Sequence, residues 1–103
     1  MKEEIYNRIK QYGSVSFVEL SNNIEGFKGE YEYQMLDNLV LWSGISIEAI
    51  NCISELCKEG RIIGSGASVL VYLVDGACLK YPVAKKEMAY KKPHWMPTIF
   101  NAA

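Results

Sequence analysis

The chain lacks a long hydrophobic run, a second histidine and enough cysteine for a scaffold, and each shortage removes a class of protein. Its longest apolar stretch, Val69 to Val74, is six residues, against the roughly 20 an α-helix needs to span a bilayer. No membrane span is expected. The first residues, Met1-Lys2-Glu3-Glu4, lead directly into mixed polar and apolar sequence with no apolar h-region and no small-residue cleavage site. That argues against secretion and for a cytoplasmic protein. Three cysteines without a Cys-x-x-Cys pair fit reduced thiols better than a disulfide framework or a zinc site. The single histidine, His94, leaves almost no material for a His-based metal centre or triad, so neither a metal nor another cofactor is expected.

What is present fits a folded domain. The 103 residues are 50% hydrophobic and 22% charged, too apolar for disorder throughout and enough for one core. The net charge of −1 hides an asymmetry. Residues 1–79 hold six Lys or Arg against eleven Asp or Glu, a formal −5, whereas residues 80–103 hold five Lys against one Glu, a formal +4.

Ile5, Ile9 and Tyr12 recur at helical spacing between Lys2 and Tyr12, with Gly13 as a C-terminal cap. Ser16-Phe17-Val18-Glu19 has the capping-box form and predicts a second helix from about Phe17 to Ile24. Leu39-Val40-Leu41-Trp42 reads as a buried strand, and Tyr31 to Met35 is compatible with extended backbone. Ser46 is the expected N-cap of a third helix carrying Ile47, Ile50, Ile53, Leu56 and Cys57, closed by Gly60. Arg61 to Ile63, Val69 to Val74 and Cys78 to Val83 read as strands, with the small residues Gly64 to Ser68 as a flexible turn. Asp75-Gly76 reads as a type I′ hairpin turn.

Three helices followed by a hairpin, with Leu56-Cys57-Lys58-Glu59-Gly60-Arg61-Ile62 passing from the third helix straight into a wing strand, resemble the winged helix-turn-helix superfamily. The likeness covers about residues 2–83. It implies an α+β winged-helix-like domain over residues 1–84, with an inserted strand between the second and third helices and a basic aromatic C-terminal extension over residues 85–103. The runs Asn38-Leu39-Val40-Leu41-Trp42-Ser43-Gly44-Ile45-Ser46 and Tyr90-Lys91-Lys92-Pro93-His94-Trp95-Met96-Pro97 also resemble small proteins of staphylococcal chromosome cassette and pathogenicity island replication modules. In those modules a winged-helix-like subunit accompanies a family A DNA polymerase able to prime synthesis. That resemblance implies a non-enzymatic accessory subunit in DNA replication of a mobile genetic element, bound to a polymerase, primase or helicase.

The residues themselves point to nucleic acid with reservations. The solvent face of the third helix offers Glu48, Asn51, Ser54, Glu55 and Lys58, a field that opposes phosphate and disfavours reading of duplex DNA. Arg61, Ser65 and Lys80 near the expected wing could meet a phosphate, or the glycines there could serve only the turn. Lys85, Lys86, Lys91 and Lys92 interleave with Tyr90, His94 and Trp95, the composition of single-strand binders, in which cations track phosphates and aromatic rings stack on bases. Pro93 and Pro97 bracket His94-Trp95-Met96 and limit helix there. Trp95, Met96, Ile99 and Phe100 have three open readings: covering the core, docking on a partner protein, or contacting nucleic acid. Catalysis finds no nucleophile, base and orienter in this set, and Glu30-Tyr31-Glu32 reads as a solvated edge rather than an acid-base pair. The alternatives to a single-strand-binding accessory subunit are a duplex-binding transcriptional regulator and a pure protein-interaction or inhibitor module.

Overall fold

Ile5 and Ile9, one helical turn apart, are fully buried and define the inner face of α1 (Lys2–Tyr12) in the computed structural model, which describes residues 1–103. β1 (Val15–Ser16) and α2 (Phe17–Asn23) follow. The Ser16 hydroxyl accepts the Glu19 N–H at 3.1 Å, the expected cap of α2. The reciprocal half of the capping box is not made. The Glu19 carboxylate turns instead to Arg8, 3.0 Å from Nε, and the Ser16 hydroxyl donates to Asp75 Oδ2 at 2.5 Å.

β2 (Lys28–Leu36) and β3 (Leu39–Ile45) form an antiparallel hairpin turned at Asp37-Asn38, with Asn38 at φ 59°. All of Leu39 to Trp42 is buried, as a continuous apolar run requires. The base of the hairpin lies against the start of α3 (Ile47–Lys58), and a Cβ on Gly29 would stand 2.5 Å from Ser46 Cα. Only glycine permits that approach. Ser46 caps α3 by accepting the Ala49 N–H at 3.1 Å, and Ala49, Ile53 and Leu56 form the buried stripe.

Beyond α3 the strand expectations need correction. β4 (Ile62–Gly66) takes in Gly64 and Ser65, which were expected in a turn, and pairs with β6 (Thr98–Ala102). Val69–Asp75 is a helix, α4, capped by Ser68 and ended by Gly76 at φ 101°. Asp75-Gly76 is therefore a helix terminus and not a hairpin turn. The reason is Tyr72: on a helix its fully buried ring reaches the core, and its hydroxyl stands between the Phe17 N–H (3.2 Å) and the Thr98 carbonyl (2.6 Å). β1 and β6 pair with Val15 opposite Phe100 and Ser16 opposite Ile99, so Phe17 and Thr98 are the next rung. The hydroxyl bridges the ladder at that rung. Cys78 to Val83 forms no strand, although Val83 bridges to Trp95 in β5 (His94–Trp95).

The result is an α+β fold with four helices and two three-stranded sheets, ordered β1-β6-β4 and β2-β3-β5. No helix is long and apolar enough to cross a membrane. Residues 85–103 are not an appended extension, because β6 is the central strand of the first sheet and β5 lies parallel to β3 in the second. Trp95 is 1% exposed and Phe100 2%. Phe17 packs against Phe27, Tyr33, Trp42 and Phe100 with ring centroids 5.2–6.4 Å apart. Tyr72 lies 5.3 Å from Trp42 and 5.0 Å from Trp95, so both sheets share one core.

Candidate nucleic-acid interface

The segment between α4 and β5 carries Lys80, Lys85, Lys86, Lys91 and Lys92, all exposed and none in an ion pair. In the body Lys10, Lys28 and Lys58 are likewise exposed and unpaired, but the other three basic side chains are held by carboxylates. Lys2 bridges to Glu59 (2.6 Å) and Glu55 (3.3 Å), and Arg8 pairs with Glu19. Arg61, expected near phosphate, is held by both oxygens of Glu3 at 2.8 and 2.9 Å and stacks 4.1 Å over the Tyr6 ring. The hydrogen bonds that Arg61 donates to Glu3 push the Arg61 pKa up, and those same bonds lower that of Glu3. Arg61 is thus neutralised locally, and the loop carries five of the eight unpaired lysines.

That loop is irregular but tied. At its far end the Tyr90 N–H donates to the Asp37 carbonyl (3.0 Å), the His94 N–H to the Asn38 carbonyl (2.8 Å), and Asn38 Nδ2 to the Tyr90 carbonyl (2.9 Å). The tip of the β2–β3 hairpin is the clamp. Asn38, at φ 59°, bonds this segment through both its backbone carbonyl and its side chain. Within the loop the Tyr90 hydroxyl accepts the Lys86 N–H and donates to the Lys86 carbonyl, closing a small ring around Lys86 to Tyr90. Tyr81 anchors the near side by donating to Glu32 Oε2 at 2.8 Å.

Tyr90 and His94 stack with centroids 3.9 Å apart and ring planes 20° apart, both half-buried. His94 Nδ1 lies 2.8 Å from the Lys92 carbonyl, which can only accept, so Nδ1 carries the proton. In the chain Tyr90 stands between Lys85-Lys86 and Lys91-Lys92, and His94 follows the second pair. Of the three aromatic residues expected beside the lysines, Tyr90 and His94 form this stack and Trp95 does not join it. Trp95 itself is in the core with its indole N–H unpartnered, and Phe100 is there too. Met96 and Ile99 are half-buried, Met96 packing on the core. Ser65 is exposed on β4.

Glu32 accepts from Gln34, Ser43 and Tyr81 at 2.8–2.9 Å. Burial acts to raise its pKa, but the three donors outweigh it and the net shift is downward. A carboxylate so saturated holds the loop and offers no proton. Nowhere do three or more His, Cys, Asp or Glu side chains gather as metal ligands.

No family model, curated protein or solved structure matches the chain.

Two features escaped sequence reading. The third helix is partly roofed by β2, with Tyr33, Ser54 and Cys57 lining one cleft, and burial there raises the Tyr33 and Cys57 pKa values. The other is α4, which leaves Leu70, Leu73 and Val74 at 67%, 55% and 85% exposure. Their run of apolar residues, read as a strand, concealed an outward face.

Proposed function

We propose that the chain is a winged-helix-like, non-catalytic accessory subunit in DNA replication of a mobile genetic element, which helps hold single-stranded template DNA. The observation that carries this reading is the tied loop, which holds both five unpaired lysines and Tyr90 of the Tyr90–His94 stack. Cations spaced along a tied loop, with a half-open aromatic pair, suit a flexible phosphate backbone with bases free to stack. The order α1, β1, α2, α3, β4, β6, with the sheet order β1-β6-β4, supports the winged-helix reading. In it the β2–β3 hairpin replaces the tight turn before α3, and residues 67–97 replace the wing tip.

Insertion of α3 into a major groove is disfavoured. Glu48 and Glu55 stay exposed on it, and the hairpin stands beside its Ser54 and Cys57 face. The replication setting and a polymerase, primase or helicase partner rest on the resemblance of residues 38–46 and 90–97. The bare apolar face of α4 supports a partner protein in a general way. The test is fluorescence anisotropy of labelled single-stranded and duplex oligonucleotides, at low and near-physiological salt, with the full chain and its Lys91→Gln/Lys92→Gln variant. Preference for single strands, weakened in the variant, is expected. Equal or stronger binding of duplex, or no binding, refutes the reading.

A further inference from the structure

The largest cleft of the molecule, about 450 Å³, lies beside α3, with Tyr33 to Met35 of β2 on one side and Gly64 to Gly66 of β4 on the other. It is open because β4 carries no side chains there. Gly64 pairs with Phe100 of β6, so the two residues share one face of the sheet, and a Cβ on Gly64 would stand 3.0 Å from the Phe100 ring. Alternation along the strand puts Gly66 on that same face. A Cβ on Gly66 would meet nothing within 4 Å. Bare backbone at these two positions leaves the cleft free above Phe100 and Met96, which line it.

The lining has the character of a small-molecule site, in which an apolar body of this size carries a few polar groups that fix orientation. Met35 and Met96 stand in it beside the Tyr33 and Phe100 rings, and thioethers both adapt to irregular shapes and make favourable contacts with aromatic rings. Burial raises the pKa values of Tyr33 and Cys57, so both side chains are uncharged at neutral pH. The one charged residue in the lining is Glu87, and its carboxylate is in no ion pair. Lys85 and Lys86 precede it in the chain, but no lysine or arginine lines the cleft. An apolar cleft with a single free carboxylate selects a ligand with an apolar body and one positive group, and it repels an anion.

We propose that the cleft between β2 and β4 binds a small aromatic amine, with its ring among Met35, Met96 and Phe100 and its ammonium group on Glu87. The thioethers favour an aromatic body over an alkyl one, and the carboxylate favours the amine over a neutral or acidic head. The site does not rest on the nucleic-acid reading, since none of the loop lysines contributes to it.

The experiment titrates phenethylamine into the isotope-labelled full chain at low salt, to about 10 mM as suits a ligand of so few atoms, while amide shifts are followed by NMR. Saturable shifts of the Gly64 and Gly66 amides are expected. Phenethyl alcohol, of the same shape without the charge, should bind about threefold more weakly, the scale of an exposed ion pair, and phenylpropionate more weakly still. Raising the salt should shrink the difference between amine and alcohol. Glu87→Gln should bring the amine down to the level of the alcohol and leave the alcohol's own affinity unchanged, which also reports that the cleft is intact. Gly66→Leu, which places a side chain in the open space, should abolish binding of both. Equal binding of amine and alcohol, an amine preference that survives Glu87→Gln, or Gly64 and Gly66 amides that do not move overturns the inference.

Discussion

Replacing Tyr72 by phenylalanine removes one oxygen atom and breaks a rung. The ring is fully buried, and its hydroxyl bridges the Phe17 N–H and the Thr98 carbonyl, joining the start of α2 to the central strand β6. Tyr72→Phe keeps the packing against Trp42 and Trp95 and orphans one buried donor and one buried acceptor. At about 1–3 kcal/mol for each unsatisfied group, partly relieved by local adjustment, the expected loss is about 3 kcal/mol. For a domain of this size that corresponds to roughly 12–24 °C in melting temperature. Urea unfolding followed by tryptophan fluorescence suits the case, since the Trp42 and Trp95 rings lie 5.3 and 5.0 Å from Tyr72. The midpoint should fall with the m-value unchanged. Tyr6→Phe, whose hydroxyl makes no hydrogen bond in the structure, is the control and should stay within about 0.5 kcal/mol. Burial raises the Tyr72 pKa from 10.0 to about 12. A raised acid pKa means that its stabilisation is complete below pH 10 and is lost as pH rises through about 12. Tyr72→Phe should lack that part of the alkaline loss. A stability change under about 1 kcal/mol would refute the bridging-rung argument.

Four further outcomes are expected. Truncation after Ala84 removes β5 and β6 with Trp95 and Phe100, so calorimetry should find no cooperative transition. In the single-strand titration, each phosphate contact contributes about −0.7 to the slope of log affinity against log salt, so Lys91→Gln/Lys92→Gln should flatten it by roughly 1.4. The Glu32 carboxylate sits below its ordinary value of 4.5, so its contribution is present above pH 4.5 and lost as pH falls through its folded value; Glu32→Gln should abolish the acid-dependent part of the Tyr81 amide shift. Trp95→Phe loses packing and also removes an unpartnered buried N–H; it should cost less than about 2 kcal/mol by urea titration, well short of the roughly 3–5 kcal/mol of a tryptophan-to-alanine change.

The N-terminal half was legible because its signals are local. Ser16 and Ser46 cap the helices their spacing announces, Ile5 and Ile9 face inward, and the apolar run at Leu39 forms the buried strand. The C-terminal half misled because its signals are shared between structures. A Val-Leu-Val-Tyr-Leu-Val run suits a strand by propensity, and Asp-Gly suits a hairpin. Yet Ser68 before the run and Gly76 after it are equally the punctuation of a helix, and the buried Tyr72 rung decided between them. The lysines of the candidate interface were found by composition. Tyr90, His94 and Trp95 were named with them, but Trp95 is buried, and the stacking of Tyr90 on His94 goes with the bonds that tie the loop to the hairpin tip at Asp37-Asn38. No window of sequence contains that contact.

The same geometry links the loop to the whole fold. Its far end hangs on Asp37-Asn38 and its near end on Glu32, so both anchors belong to the β2–β3 hairpin. The loop then runs on into Trp95, whose backbone is bonded to Pro82 and Ala84, and Met96 bonds Val40. β6 follows, and it closes against β1 some eighty residues earlier in the chain. The lysine array is therefore continuous, through β5, with the strand on which the first sheet closes. A mutation far from any lysine, such as Tyr72→Phe, should then weaken single-strand binding near its melting range before the fold is lost. A variant that alters only charge, such as Lys91→Gln/Lys92→Gln, should weaken it at every temperature alike. Measuring affinity against temperature for both separates positioning from charge. Parallel curves for the two variants would mean that the loop holds its shape without the fold behind it.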